Sequence, residues 1–278
     1  MISVPTLLAD SIGQGAEPLW WPSLTNALVV AQSSGAELYS TGAQSTSGRT
    51  DESAFTDVWS RDGAGLRLRL EFLGRPQAKG FVARGLNLYE IDEMRESSCL
   101  QTLSEALTFV ALVPSLGKTI QMLVKSMHLL RPDEPTIDTS FSEPRLPFSI
   151  FVSVPPSRIE SDASRVAEAI VHEAMHLQLS LIERQVPLIE KSRIATFSPW
   201  RGEIRDASGL LHALYVFRVV FDWLGLTCVQ LPLYARRRRH EIEQHVRTVD
   251  WPCLRPALTS AGTRLVDRLL QDLCIVNK

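Results

Sequence analysis

Apolar positions along this chain fall into two rhythms. In 98–113, Leu100, Leu103, Leu107, Val110 and Ala111 recur every three or four residues, which predicts a helix with one buried face. Pro114 is expected to end it, and a second helix to follow over 116–130. A further helix start is expected near Arg95, and Pro132, Pro135, Pro144 and Pro147 make 133–147 extended or irregular. Leu66, Leu68, Leu70 and Phe72 alternate with charged residues, the period of a half-buried strand. The β-branched and aromatic run over 148–154 predicts a second strand, stopped by Pro155 and Pro156. The clearest helix begins after Ser161, a suitable N-cap, with Asp162 in its first turn, and reaches residue 183. A turn at Ser198-Pro199-Trp200-Arg201-Gly202 precedes a strongly apolar helix over 207–223. Helices over 232–246 and 256–275 follow, separated at Trp251 and Pro252. Near the N-terminus, 23–31 reads as a short helix and the Ser-, Gly-, Thr- and Gln-rich 32–49 as a loop.

The pattern is mainly α with a small β-sheet, an α+β fold, in one domain over 1–278 whose region 1–95 is the less characteristic. Composition changes little in that picture. Of 278 residues 45% are apolar and 22% charged, with a net charge of −2, so nothing draws the chain to nucleic acid or to an anionic membrane. The apolar run from Leu210 onward is broken by His212, Arg218 and Asp222, which argues against a membrane span. No basic segment followed by an apolar run opens the chain. Cys99, Cys228, Cys253 and Cys274 are scattered, as expected of reduced, mostly buried thiols in a cytoplasmic protein.

The candidate chemistry lies in His172-Glu173-Ala174-Met175-His176. Residues four apart on a helix share a face, so two imidazoles stand side by side at a spacing one metal ion bridges. With this composition, H-E-x-x-H arises by chance on the order of once in a hundred such chains. Two imidazoles need a third ligand. Glu203 is placed to serve if a second helix supplies a carboxylate; His212, inside an apolar helix, is the other candidate and the one favoured, because a buried imidazole needs a partner. Leu179 and Ile182 stand where a metzincin needs glycine and histidine.

Three segments in order carry a resemblance. Glu168-Ala169-Ile170-Val171-His172-Glu173-Ala174-Met175-His176-Leu177, then Ser198-Pro199-Trp200-Arg201, then Gly209-Leu210-Leu211-His212-Ala213-Leu214-Tyr215-Val216-Phe217 resemble a family of HExxH peptide-modifying proteins. These sit in gene neighbourhoods for ribosomally made, post-translationally modified peptides (RiPPs). Ser140-Phe141-Ser142-Glu143-Pro144 is similar too, and the likeness spans about residues 100–225. The resemblance implies a zincin-like strand followed by the HExxH helix. It implies an Fe(II)- and α-ketoglutarate-dependent peptide β-hydroxylase, a dioxygenase of RiPP biosynthesis with O2 as co-substrate and a precursor peptide as substrate. It further implies iron ligation by His172, His176 and His212, and an arginine of the stretch from Arg201 to Arg205 on the α-ketoglutarate carboxylate. The family usually has proline after the second arginine; here Asp206 follows Arg205, so the choice between Arg201 and Arg205 stays open.

Coordination chemistry is compatible with this. Three ligands on one face of an octahedral ion leave two positions for the keto acid and one for oxygen. A forked guanidinium suits the far carboxylate better than an ammonium. The rival is a zinc peptidase, in which Glu173 is the general base on a metal-bound water. In an oxygenase Glu173 instead orients water, a ligand or the substrate. Glu168, four before His172, either supports an imidazole or faces solvent. The run Arg236-Arg237-Arg238-Arg239-His240 reads as a solvated helix face, with Arg237–Glu241 and Arg239–Glu243 pairs, rather than a dock for an acidic leader peptide. Trp20, Trp21, Trp200 and Trp223 read as core or cavity wall. The strand over 148–154 is the better candidate for pairing with a substrate peptide, ahead of that over 66–72.

Overall fold

The computed structural model describes residues 17–39, 54–61, 65–134, 138–142, 146, 148–157, 159, 161–190, 193–271 and 273. In chain order these form α1 (Pro22–Tyr39), β1 (Ala54–Trp59), β2 (Arg67–Phe72), α2 (Arg75–Val82), α3 (Ile91–Glu96), α4 (Cys99–Ala111) and α5 (Pro114–Leu123). There follow β3 (Ser126–Leu130), β4 (Ser140–Ser142), β5 (Ser149–Ser153), α6 (Asp162–Gln185), β6 (Ala195–Ser198) and β7 (Glu203–Asp206). The chain continues with α7 (Ala207–Leu226), α8 (Pro232–Thr248), α9 (Trp251–Leu254), a 3-10 turn (Arg255–Ala257) and α10 (Ser260–Leu270). The fold is α+β, in two compact units: a sheet unit, Val29–Leu177, and a helical unit, Met1–Leu28 with Gln178–Lys278.

In the sheet unit five strands lie in the order β1-β2-β3-β5-β4. β3 runs parallel to β2 and to β5; β1 and β4 are antiparallel edges. Every residue of β3 and β5 is buried, as expected of central strands covered on both faces. Leu103, Leu107 and Val110 of α4 and Leu116, Ile120 and Leu123 of α5 are wholly buried and form much of the core. Because β2 and β5 each have neighbours on both sides, neither strand expected to pair with a peptide has a free edge.

Several expectations shift. Pro114 starts α5 at its first turn, where a missing N–H costs nothing, instead of merely ending α4. The helix expected over 116–130 stops at Leu123, and Ser126–Leu130 is β3. Helix α1 continues through Gln32 to Tyr39, where a loop was expected; residues 40–49 lie outside the described residues. Within this helix Ser33 donates its hydroxyl back to Val29 O at 3.0 Å. The helix expected over 256–275 begins at Ser260, after Thr259, whose side chain caps it by accepting from Gly262 N at 3.0 Å. Gly262 is required there: a Cβ would stand 2.0 Å from Leu188 O.

The helical unit is organised around α7. Leu210, Leu214, Val216, Val219, Val220, Trp223 and Leu224 are wholly buried. By length and composition alone α7 would suffice to cross a membrane, despite His212, Arg218 and Asp222. Most of it is buried protein core, and Arg218 is neutralised one turn away by both oxygens of Asp222, at 2.9 and 3.1 Å. A buried chain of hydrogen bonds runs from Tyr215 OH to Gln178 Oε1 (2.8 Å) and from Gln178 Nε2 to Thr25 Oγ1 (2.7 Å). The four arginines of α8 divide. Arg236 and Arg237 face outward, while Arg238 and Arg239 lie over the rings of Phe217 (5.3 Å) and Phe221 (4.0 Å). The expected Arg237–Glu241 pair is present at 3.7 Å. Cys99 is buried, but Cys228 and Cys253 are exposed, against the expectation of mostly buried thiols.

Candidate metal centre

Helix α6 is anchored before it presents any chemistry. The buried carboxylate of Asp162 accepts from Ile159 N at 2.8 Å and from Arg165 Nη1 at 3.2 Å. Arg165 also grips Asp138 through Nε (2.8 Å) and Nη2 (2.6 Å), a bidentate pair that ties the approach to β4 onto the first turn of α6. Val166, Ala167, Ile170, Val171, Ala174 and Met175 are buried and hold the helix in place, which leaves His172 and His176 half-buried.

Nε2 of His172 lies 3.1 Å from Nε2 of His176, with ring centroids 4.8 Å apart and planes 72° apart. That spacing fits a shared metal. Two nitrogens 3.1 Å apart, each about 2.05 Å from one ion, subtend about 98° at it. The angle falls between an octahedral edge and a tetrahedral one, so two adjacent coordination positions match the pair as it stands. Glu173 between them is buried, at 3% exposure, and accepts a hydrogen bond from Ser140 Oγ at 2.8 Å. The glutamate of the motif thus fastens edge strand β4 to α6. Glu168 is also buried, so it does not face solvent.

The third-ligand candidates lie in the helical unit. Glu203 opens strand β7, not a helix; it is exposed and pairs with Arg205 at 3.2 Å. His212, half-buried on α7, has Nε2 3.0 Å from Glu183 Oε2. Among the described residues no group of three or more His, Cys, Asp or Glu is arranged to hold a metal ion.

The two candidate arginines sit on one hairpin. β6 and β7 pair Ala195 with Asp206 and Ser198 with Glu203, and Gly202 takes φ +69° in the expected turn. Arg201 is exposed at the tip. Arg205 is half-buried, and its guanidinium lies so close to Gly209 that a Cβ there would meet Nε at 2.9 Å. Asp206 is the N-cap of α7 and accepts from Gly209 N at 2.8 Å. Trp200 stacks on Phe217 at 5.4 Å and meets His245 edge-on at 6.0 Å.

Two participants were not singled out by sequence reasoning. Ser140 carried no signal of its own beyond the resemblance. Glu183 did carry one: it falls seven residues after His176, on the same helical stripe. The chain matches no protein-family model and no curated protein.

Proposed function

We propose that this protein is an Fe(II)- and α-ketoglutarate-dependent oxygenase that hydroxylates a β-carbon in a ribosomally made peptide, in the cytoplasm. One observation carries the reading: the 3.1 Å approach of the two motif imidazoles, which matches adjacent positions on one metal ion. The mixed sheet with an antiparallel edge strand beside the HExxH helix supports the zincin-like framework. Bound iron would supply oxygen activation, coupled to decarboxylation of the keto acid. The balance is peptide C–H, α-ketoglutarate and O2 giving peptide C–OH, succinate and CO2.

The chain's own residues take the following parts. His172 and His176 hold the metal, and His212 is assigned as third ligand on the resemblance. Arg205 is the better candidate for the far carboxylate of α-ketoglutarate. Its guanidinium is half-buried and restrained against Gly209, whereas Arg201 is exposed at a hairpin tip. Glu173 acts as a positioning residue, since its carboxylate is buried and engaged by Ser140. A zinc peptidase remains the second reading, because the same His pair also suits a tetrahedral ion.

Anaerobic loading with Fe(II), then α-ketoglutarate, tests the choice. The oxygenase gives a visible charge-transfer band and then oxygen-dependent succinate; Arg205→Ala weakens α-ketoglutarate binding more than Arg201→Ala. Absence of the band, with peptide cleavage under Zn(II) that Glu173→Gln abolishes, would establish the peptidase. Metal binding with neither activity would leave the ion a structural staple.

A further inference from the structure

Three of the four most exposed large apolar side chains among the described residues crowd one corner of the helical unit: Leu226 (62%), Val229 (80%) and Leu233 (78%). They bracket the connection between α7 and α8, a hydrogen-bonded turn. Buried Thr227 donates its hydroxyl to Trp223 O at 3.0 Å, and Gln230 N and Leu231 N donate to Thr227 O at 3.1 and 3.0 Å. Leu231 is buried and pins the turn from below. An ordered backbone thus holds three aliphatic side chains together in water, which marks an interaction surface where a single exposed residue would not.

The charge beside them has one sign. No Asp or Glu occurs from Trp223 to His240. Along α8, Leu233, Arg236, Arg237, His240, Gln244 and Arg247 are exposed and recur at helical spacing, so they share the outward face. No exposed residue of α8 is acidic. Glu241 is half-buried and engaged by Arg237 (3.7 Å) and Arg238 (3.0 Å). The helix carries five arginines against two glutamates in a chain whose net charge is −2, so any attraction to anions is local to this face. An apolar tip continued by a basic helix face suits the headgroup region of a bilayer, with aliphatic groups toward the acyl chains and guanidinium groups on the lipid anions. A peptide would instead need a groove or a free strand edge, and side chains as exposed as Val229 and Leu233 line neither.

We propose that the α7–α8 corner docks this protein on an anionic phospholipid surface. Leu226, Val229 and Leu233 enter the interface, and Arg236, Arg237 and Arg247 meet the lipid anions. Neither part suffices alone, because three arginines attract weakly and three aliphatic side chains bury little area.

The test floats the full chain with vesicles of phosphatidylcholine alone, or with about 30% phosphatidylserine, at low ionic strength. Binding to the mixed vesicles is expected, with little to phosphatidylcholine alone and release at about 0.5 M salt. Arg236→Gln and Arg237→Gln should each weaken binding about fivefold. Val229→Ser with Leu233→Ser should weaken it roughly tenfold or more. All four side chains are exposed, so the variants should keep the wild-type circular dichroism. Cys228 is exposed and Cys99 buried, so in a Cys253→Ser, Cys274→Ser protein an NBD label goes to the corner itself. Its emission should shift to the blue on the mixed vesicles. No vesicle binding, equal binding to both vesicle types, binding that the four substitutions leave unchanged, or an unshifted label overturns the proposal. Self-association in sedimentation velocity, or capture of a glutamate-rich peptide, that the same substitutions abolish while vesicles stay unbound would assign the corner to a protein partner instead. No metal takes part, so the outcome is separate from that of the oxygenase reading.

Discussion

His172 and His176 differ from His128 and His245 in what their nitrogens meet. The first two stand half-buried on α6 and bring Nε2 within 3.1 Å of Nε2. His128, in the centre of the sheet unit at 1% exposure, places Nδ1 2.9 Å from Glu71 O and stacks on Phe151 at 4.4 Å. Its Nε2 is buried without a hydrogen-bond partner. His245, in the helical unit, meets Trp200 edge-on, and its Nδ1 is likewise buried without a partner. A ring committed to a backbone carbonyl and an aromatic neighbour is a core residue. Two rings that turn Nε2 toward each other on one helix face have the spacing of neighbouring ligands on one ion. Residue type does not separate these cases; the direction of the nitrogens does.

The largest effect breaks the comparison directly. On the proposed reading, His172→Ala or His176→Ala is expected to lower Zn(II) affinity on the order of a hundredfold or more, since each would remove one of very few ligands. His128→Gln and His245→Gln should leave that affinity unchanged. Calorimetric titration of the four variants decides; equal losses in all four would mean that the imidazole pair is not the metal site.

A second substitution sharpens what surrounds the pair. Ser140→Ala removes a hydroxyl from a buried carboxylate at Glu173. Hydrogen bonds to charged groups contribute about 1.5–3 kcal/mol, so urea unfolding should show a loss in that range. An unchanged midpoint would show that Glu173 is not held by β4 and would return it to the pool of candidate bases.

The same contrast explains what the sequence made legible. The H-E-x-x-H pair is local: helical periodicity alone puts residues four apart on one face, so α6 and its histidines could be read from spacing. His128 could not. Met127, His128, Leu129 and Leu130 are buried on both faces of β3, and a fully buried strand lacks the alternation that would have distinguished it from the end of a helix. The strands β6 and β7, four residues each, were too short to show a period, although the turn between them was evident from Pro199 and Gly202. α1 ran on through Ser33, Ser34 and Gly35 because helix continuation is a tertiary outcome that composition does not dictate. The partner of His212 depended on how α7 packs within its unit, and only the stripe position of Glu183 hinted at it.

The smallest effect concerns pH and follows from His128 and His245. Burial lowers the pKa of His128 below its ordinary value, with the nearby Glu71 opposing the shift. Burial also lowers that of His245, helped by the Arg238 charge and opposed by Glu241. For each, the folded protein resists a proton that the unfolded chain accepts. Above the ordinary histidine value near 6.5 both states are neutral, and the stability is complete. As pH falls below it, the unfolded state binds the proton first and stability declines, by at most about 1.4 kcal/mol per pH unit per group. The decline levels off once pH has passed the folded pKa. Urea unfolding at pH 7 and pH 5 should therefore show a wild-type loss that His128→Gln reduces and that His245→Gln, at a less buried position, reduces less. Carboxylates contribute to the wild-type slope as well, so the difference between variant and wild type is the quantity that counts. A His128→Gln protein with the full wild-type slope would mean that this ring takes up its proton in the folded state as readily as in the unfolded chain, against the direction that its burial gives.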